Sequence, residues 1–403
     1  MTRLVIVGGG HAAAQLAASL AEKQFPGSIV LVSDESEIPY HRPPLSKTLI
    51  KDPEAPLPEL RGAAFYEQAA IELRLGTRAQ AIDRAGKQLR LSSAAGQEDL
   101  AYDHLVLATG ARVRELPQAP LGTPGVHYLR TYAQARALRD ALPAARRVVV
   151  LGGGFIGLEI AATARHLGKD VTVFESMPRL LARSVSPEIS SFLLEAHRRA
   201  GVDIRLDSTV DGLDMAQGRA VGVLAGGSVV PADIVIAGIG ATPEVDLARE
   251  AGLSCDNGIV VDATLATSDP AISAIGDCTS FPHPSWPRPL RLESVQNAND
   301  QARTLAARLC GDPQPYTAVP WFWSDQGEAR LQITGLWRPG YESIVRPAAR
   351  GNGFSVLHFE GDALRAIESV NSPVDQMTAR KLMQAGLSPA KAVAADPAVP
   401  LKA

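Results

Sequence analysis

The segment LVIVGGGHAAAQLAASL, from Leu4 to Leu20, decides the fold because it recurs as VVVLGGGFIGLEIAATA from Val148 to Ala164. In each copy, four apolar residues predict a buried strand and a glycine-rich turn follows it. Small and apolar residues at helical spacing then begin a helix. The repeat therefore predicts two similar strand–turn–helix units in one chain.

The glycines of both turns occupy the positions that a dinucleotide-binding turn requires. Gly8 and Gly152 would allow the tight turn, and Gly10 and Gly154 would let the backbone approach a pyrophosphate. The third small position, which lets the helix pack on the strand, is held by Ala13 in the first copy and Gly157 in the second. Glycine turns of an ordinary α/β sheet are the alternative interpretation.

Each copy also continues into a second apolar strand that ends in acidic residues. These strands are SIVLVSDE (28–35) and DVTVFES (170–176), so Asp34 and Glu175 could bind the ribose hydroxyls of an adenosine. Asp34 is the less secure of the two, because it lies one residue further along than Glu175 does. Two dinucleotide sites favour a flavin dinucleotide and a nicotinamide dinucleotide. Glu175 would repel a 2′-phosphate and favours NADH, whereas Arg179 and Arg183 leave NADPH as an alternative.

Composition excludes several other classes of function. The 403 residues carry a formal charge of -3, which provides no basic surface for nucleic acid. The three cysteines are odd in number and form no C-x-x-C pair, so we expect neither a disulfide framework nor a zinc or other metal site. The sequence shows neither a leader nor an apolar run of 18 residues, and we expect a soluble cytoplasmic protein without a membrane partner.

Three further apolar runs end in small residues or an acid, as strands do beside a ligand. YDHLVLATGA (102–111) ends at Thr109 and Gly110, and ADIVIAGIGATP (232–243) contains Gly240. PAISAIGDCTS (270–280) places Asp277 at the carboxyl end of a strand, where open α/β sheets bind ligands. A helix N-cap or a turn is the alternative role for Asp277.

The order of these motifs resembles one family over nearly the whole chain. G-x-G-x-x-A, RPPLSK, ATG, a second G-x-G-x-x-G-x-E, IGDC and PWFWSDQ follow one another as in flavoprotein reductases of the glutathione-reductase-like superfamily. The sequence is most similar to the NADH-dependent ferredoxin reductases of bacterial oxygenase systems, the putidaredoxin reductase type. The resemblance implies an α/β fold with two Rossmann-like dinucleotide-binding domains, for FAD and NAD, and a C-terminal α+β domain.

The resemblance also implies a place for each cofactor. The FAD domain would comprise 1–112 and 242–315, the NAD domain 113–241 and the C-terminal domain 316–403. FAD would lie at the first copy, which includes Gly8, Gly10, Ala12, Ala13 and Asp34, and NADH at the second, which includes Gly152, Gly154, Gly157 and Glu175. Further positions that the family uses around FAD are Lys47, Ala79, Arg130, Asp277 and Val295. The stretch from Glu293 to Leu309 reads as a helix from Ser294 or Val295 onward, and its positive end could stabilise reduced flavin.

Lys47 and Glu159 are the candidate catalytic residues. Hydride transfer itself requires no acid or base, but a lysine–glutamate pair beside the flavin could respond to its reduction and place the nicotinamide. A surface lysine and a glutamate favoured by the helix dipole are the alternative. Residues 1–254 contain no cysteine, so electrons should leave the flavin directly rather than through a disulfide.

The expected electron acceptor is a 2Fe–2S ferredoxin, bound transiently, that supplies an oxygenase. Trp321 and Trp323 alternate in PWFWSDQ and could face this partner, together with Arg303 in a mildly basic window. Domain core for the tryptophans and a solvated helix face for the arginine are alternatives. An NADH oxidase or peroxidase, which usually employs an early redox cysteine, and an NADH-sensing flavoprotein are the other functions considered. The oligomeric state stays open.

Overall fold

The computed structural model describes residues 2–403, which form two compact units. Unit 1 comprises residues 2–42, 57–112 and 242–318, and unit 2 comprises 43–56, 113–241 and 319–403. The strands, β1 to β26 in chain order, are Arg3–Val7, Ser28–Val32, Ile71–Arg74, Arg78–Asp83, Gln88–Ser93, Gly96–Ala101, His104–Leu107, Ala111–Val113, Val126–His127, Arg147–Leu151, Asp170–Phe174, Asp203–Arg205, Gly212–Ala216, Arg219–Ala225, Ser228–Pro231, Ile234–Ala237, Ala241–Pro243, Ile259–Val260, Ile272–Ala274, Thr279–His283, Trp286–Leu290, Trp321–Gln326, Ala329–Gly335, Glu342–Pro347, Phe354–Glu360 and Ala363–Val370.

Ten α-helices and two short 3₁₀ segments connect these strands within the described residues 2–403. The helices, α1 to α10, are His11–Glu22, Thr48–Lys51, Ala63–Gln68, Tyr132–Ala141, Phe155–His166, Pro187–Arg199, Asp246–Glu250, Val295–Leu309, Pro373–Gln384 and Lys391–Ala395. The 3₁₀ segments are Pro43–Ser46 and Leu142–Ala144. None of the helices that the structure describes is both long enough and apolar enough to cross a membrane.

Unit 1 is built on a parallel sheet of order β19-β7-β1-β2-β3. Leu4, Val5 and Ile6 of the central strand β1 are completely buried, as a continuous apolar run in a parallel sheet should be. Helix α1 follows β1 and packs against α8. Antiparallel β4-β5-β6 and the small sheet β18-β20-β21 complete the unit.

Unit 2 repeats the same arrangement and adds a second layer of different topology. Its parallel sheet has the order β12-β11-β10-β16-β9, and α5 packs on β10 and β11. The C-terminal part is an antiparallel sheet of order β22-β23-β26-β25-β24, covered by α9 and α10. The prediction of two Rossmann-like units plus a C-terminal α+β region is confirmed.

The two compact units group the segments differently from the three domains expected above: residues 113–241 and 319–403 lie together in unit 2, and unit 1 extends to Ala318. Residues 43–56 lie in unit 2 and not with the rest of the first segment. The reason is local: α2 packs on α4, and the Thr163 hydroxyl donates a hydrogen bond to the carbonyl of Ser46 at 2.8 Å. The segment that carries Lys47 is thereby fixed to the helix that carries Glu159.

Candidate functional site

The first glycine of each turn is required by the fold itself. Gly8 and Gly152 have φ angles of +129° and +101°, in the region that residues with a side chain rarely adopt. A Cβ at Gly8 would lie 2.1 Å from the carbonyl oxygen of Ala108, and one at Gly152 would lie 2.4 Å from that of Gly238. Each turn therefore passes directly against the neighbouring strand's end.

The third residue of each glycine turn faces open space instead. Gly10 and Gly154 are the N-caps of α1 and α5 with extended backbones, and a Cβ on either would meet no atom within 4 Å. Neither helix has an acidic residue in its first turn or a side chain that caps it. The first N–H groups of both helices thus point into a free cradle that fits the pyrophosphate of a dinucleotide.

The small residues inside the two helices allow close packing on the strand. A Cβ on Gly157 would lie 2.2 Å from the carbonyl oxygen of Gly152, so only glycine fits there. Ala13 is completely buried in α1. Ala12 is also buried, and its Cβ would lie 3.1 Å from a Cβ added to Gly276.

The acid after β11 closes the second turn. Glu175 accepts a hydrogen bond from the N–H of Gly153 at 2.7 Å through Oε2 and one from the N–H of Met177 at 2.8 Å through Oε1. A cleft of about 320 Å³ opens at this point. Four predicted residues line it, namely Gly152, Gly154, Glu175 and Gly240. The structure brings these four together in one place.

The acid after β2 is arranged differently. In the register of the two sheets, Val7 pairs with Val32 and Leu151 with Phe174, so Ser33 occupies the place that Glu175 has in the second copy. Asp34 is exposed. The next residue, Glu35, is bound by Arg42 at 2.5 Å and was not singled out from the sequence. Asp34 as a ribose ligand stays a prediction, with Glu35 as a structurally anchored neighbour.

The remaining predicted residues of unit 1 lie within or just after strands and at one helix start. Thr109 follows β7, and its hydroxyl donates to the carbonyl of Glu244 at 2.6 Å. Val295 begins α8, as expected, and Ser294 caps this helix. The other three are Gly110, with a φ of +71°, Ala79 in β4, and Asp277 just after Gly276.

Buried Gln301 holds the turn before Asp277, and sequence reasoning missed it. Its Oε1 accepts the N–H of Gly276 at 2.7 Å.

Arg130 is a predicted residue of unit 2. It precedes α4, and its N–H donates to Gln134 at 2.7 Å.

Lys47 and Glu159 form an ion pair. The Lys47 Nζ lies 2.7 Å from Glu159 Oε2, and the Glu159 side chain is only 5% exposed. Two hydroxyls also donate to this carboxylate, Ser46 to Oε2 at 2.5 Å and Ser324 to Oε1 at 2.7 Å. Sequence reasoning missed both serines, although each lies inside a motif that it singled out, RPPLSK and PWFWSDQ. A buried carboxylate with three donors is held in one orientation.

The candidate partner residues are partly exposed. Trp321 and Trp323 lie on one side of β22 with stacked rings, 5.2 Å between centroids. The guanidinium of Arg380 lies 4.8 Å from the centroid of the Trp321 ring. Arg303 is exposed on α8 and forms an ion pair with Asp300 at 2.7 Å.

The three cysteines do not pair. Cys278 is completely buried, Cys255 and Cys310 are half-buried, and all three are free thiols. Burial raises the pKa of Cys255 and of Cys278, which disfavours the thiolate that disulfide exchange needs.

Comparison with known proteins agrees with this geometry. Residues 2–302 match the family model described as pyridine nucleotide-disulphide oxidoreductase, and residues 321–403 match the one described as reductase C-terminal. The chain is 46% identical over 397 residues to rhodocoxin reductase of Rhodococcus erythropolis, covering 98% of this chain and 92% of that protein.

Solved structures give the same result. The ferredoxin reductase for the CYP199A2 system of Rhodopseudomonas palustris superposes with a TM-score of 0.94 at 44% identity, over 99% of this chain and 98% of that one. The reductase in the covalent putidaredoxin reductase–putidaredoxin complex superposes with a TM-score of 0.93 at 42% identity, over 99% and 97%. The resemblance found in the sequence is confirmed.

Proposed function

Since the chain belongs to the pyridine nucleotide-disulphide oxidoreductase family, we propose that it is an FAD-dependent NADH:ferredoxin reductase that supplies an oxygenase. One observation carries the proposal: near-full-length relatives at over 40% identity are named as reductases of such systems. The two open glycine cradles support it, because each suits one dinucleotide.

The cofactor assignment follows the order of the two copies. FAD would be held by residues of the first copy and its surroundings: Gly8, Gly10, Ala12, Ala13, Asp34, Lys47, Ala79, Thr109, Gly110, Arg130, Asp277 and Val295. NADH would be held by Gly152, Gly154, Gly157, Glu159, Glu175 and Gly240. When bound, FAD supplies hydride acceptance from NADH and release of electrons one at a time. The domains would be 1–112 with 242–315 for FAD, 113–241 for NAD and 316–403 at the C-terminus.

Preference for NADH would come from the Glu175 carboxylate. Both of its oxygens accept backbone N–H groups of the turn, so its negative charge is fixed at the cleft. A 2′-phosphate would meet that charge. Arg179 cannot easily compensate, because its guanidinium donates to the carbonyls of Val185 and Ala182 at 2.7 and 2.6 Å. Arg183 is exposed and lines the cleft, so it is the residue on which the NADPH alternative rests.

The Lys47–Glu159 pair would orient the reacting groups. The Glu159 carboxylate is fixed by two hydroxyls and by Lys47, which is the more exposed partner at 20%. Such a fixed charge can favour one placement of a nearby ring without giving up a proton. Lys47, as the more exposed partner, would be the member that moves when the charge beside it changes.

Electrons would pass to a 2Fe–2S ferredoxin without a thiol relay. The buried or half-buried free thiols support direct transfer. Trp321, Trp323 and Arg303 are the proposed partner-facing residues, and an aromatic pair with one adjacent cation, Arg380, suits a small, transient, acidic partner. The free cysteines support a reducing compartment, and we propose the cytoplasm.

The decisive experiment measures NADH oxidation by the purified flavoprotein with cytochrome c as the final acceptor. Catalytic amounts of individual 2Fe–2S ferredoxins should stimulate the rate strongly for at least one of them. NADH consumption with oxygen and no stimulation by any ferredoxin would contradict the proposal and favour an oxidase. No turnover, with a long-lived oxygen-resistant complex of NADH and flavin, would favour a sensor.

A second experiment tests the ion pair. Lys47→Ala and Glu159→Ala should slow hydride transfer in stopped-flow single turnovers. Lys51→Ala is the matched control, because Lys51 lies four residues further on, is exposed and belongs to no ion pair among residues 2–403. Wild-type rates in both variants would end the proposed role of the pair.

A further inference from the structure

A segment of irregular backbone forms one wall of the cleft at Glu175. We call residues 176–186 the wall segment. It runs from the end of β11 to the start of α6, and six of its residues line the cleft: Ser176, Met177, Leu181, Ala182, Arg183 and Ser184. The N–H of Leu181 donates to the carbonyl of Gly153 at 3.1 Å, so the segment also holds the glycine turn.

The wall segment does not rest in a relaxed conformation of its own. Leu181 has a φ of +52°, which a leucine adopts only when its surroundings impose it. The Arg179 guanidinium donates hydrogen bonds to two backbone carbonyls of the same segment. Contacts from outside the segment must therefore contribute to its shape.

Those contacts come from the C-terminal sheet. The carboxylate of Glu368, on β26, accepts the N–H of Ser186 with both oxygens at 3.1 Å. His358 on β25 lies 2.9 Å from the same carboxylate through Nε2, and Ser343 lies 3.0 Å from its Nδ1. Glu368, His358 and Ser186 are completely buried. The Trp337 ring lies 5.4 Å from the guanidinium of Arg179, at the middle of the segment.

The buried Glu368 carboxylate requires a hydrogen-bond donor for each of its oxygens. A buried carboxylate is costly unless each oxygen finds a donor, and here the donors are one imidazole and one backbone N–H. That N–H belongs to the N-cap of α6, a helix of 13 residues, so the carboxylate also meets the positive end of the helix. Because the Glu368 carboxylate is buried, water cannot replace the Ser186 N–H as its donor. This hydrogen bond therefore fixes the end of the wall segment.

We propose that Glu368 and His358 are positioning residues for the nicotinamide dinucleotide. They act from the C-terminal sheet by fixing the wall segment, and Trp337 holds the segment at a second point through Arg179. The inference rests on the proposed function, because it assigns that dinucleotide to the cleft. Neither residue lines the cleft, so the effect passes through the wall segment and the glycine turn. A loosened segment has to be ordered again each time the dinucleotide binds, which weakens binding and leaves the chemical step unchanged.

The test compares Glu368→Gln and Trp337→Leu with a matched control in the flavin-loaded protein. Asp375→Asn is the control, because Asp375 is also buried in the C-terminal region, whereas its partners Arg346, at 3.2 Å, Ser355 and Ser372 all lie outside the wall segment. Calorimetric titration with NAD⁺ measures Kd, steady-state kinetics separate KM from kcat, and trypsin reports cleavage after Arg179 and Arg183.

Both test variants should raise the Kd for NAD⁺ and the KM for NADH about tenfold, the change that one lost hydrogen bond or packing contact produces. Cleavage at Arg183 should accelerate, whereas kcat and the flavin spectrum stay at wild-type values. Asp375→Asn should melt at a lower temperature with an unchanged Kd. A wild-type Kd and wild-type cleavage in the folded variants would overturn the inference.

If Glu368→Gln does not fold, Trp337→Leu decides alone, since Trp337 is half-buried and, although its ring packs edge-on against His358 at 6.4 Å between centroids, its replacement keeps the carboxylate and the imidazole of the buried pair. If the wild-type protein itself binds no NAD⁺, the proposed function fails and the inference fails with it. If the wild type binds and Trp337→Leu binds equally well, only the inference fails.

Discussion

The substitution Gly154→Ala should separate what the fold requires from what a ligand requires. Gly154 has a φ of -82° and a ψ of 177°, which alanine adopts without strain, and its Cβ would meet no protein atom within 4 Å. Alanine is the poorer N-cap by about 0.5–1 kcal/mol, but it also restricts the unfolded chain, which offsets about 0.4–1 kcal/mol of that loss. The free energy of unfolding should therefore change by less than about 1 kcal/mol.

Binding should respond much more strongly than stability. The new methyl group would occupy the cradle at the N-terminus of α5, where a pyrophosphate has to approach the backbone. Inserting a methyl group into a filled site costs about 1–3 kcal/mol, which corresponds to a rise of about 5- to 150-fold in the Kd for NAD⁺. Titration calorimetry measures this change, and urea denaturation measures stability.

Gly152→Ala is the matched comparison two residues earlier. Its Cβ would lie 2.4 Å from the carbonyl oxygen of Gly238 at a φ of +101°, so the backbone must move. We expect a loss of roughly 2–4 kcal/mol in the free energy of unfolding. The reasoning is refuted if Gly154→Ala destabilises the protein as much as Gly152→Ala does, or if it binds NAD⁺ with wild-type affinity.

Three further predictions concern stability. Burial, with a nearby arginine, lowers the pKa of His104 to about 4. The unfolded chain binds this proton near pH 6.5, so stability should fall by about 1.4 kcal/mol per unit as the pH drops from 6.5 towards 4, a slope that His104→Gln should lack in urea titrations. Arg346 is 3% exposed and donates to carbonyls within 393–399. Arg346→Met should cost about 3–5 kcal/mol and speed tryptic release of that tail, and an intact tail would contradict this. Ser324→Ala removes a donor from buried Glu159 and should cost about 1–3 kcal/mol, whereas an unchanged denaturation midpoint would show that water replaces the hydroxyl.

The two dinucleotide units could be predicted because their signals are local. A strand, a turn and the first turn of a helix occupy about ten consecutive residues around Gly8 and again around Gly152, and each has one steric reason for its glycine. The pairing of Lys47 with Glu159 could be suggested as well, because both flank recognised motifs. The hydroxyl of Ser324 could not, since it reaches Glu159 across 165 residues of sequence.

The ribose-binding acid of the first copy shows the limit of counting residues. The sequence contains two neighbouring acids after β2, Asp34 and Glu35, and the prediction names Asp34 only. The sheet register shows that Ser33 occupies the place of Glu175, so both acids lie beyond the strand end. The orientation of Glu35 depends on Arg42, seven residues later, which binds its carboxylate. Only the folded loop makes that contact visible.

For Glu368, the sequence could indicate that the carboxylate is buried but could not identify the groups that donate to it. On β26 it alternates with Leu364, Ala366 and Val370, so its side chain lies on the same face as three buried apolar residues. An acid in that pattern predicts a buried carboxylate, and a buried carboxylate requires donors. Its donors are His358, ten residues earlier, and the N–H of Ser186, which lies 182 residues away. The strand pattern can thus establish that a partner exists, but a backbone N–H has no side chain by which the sequence could identify it.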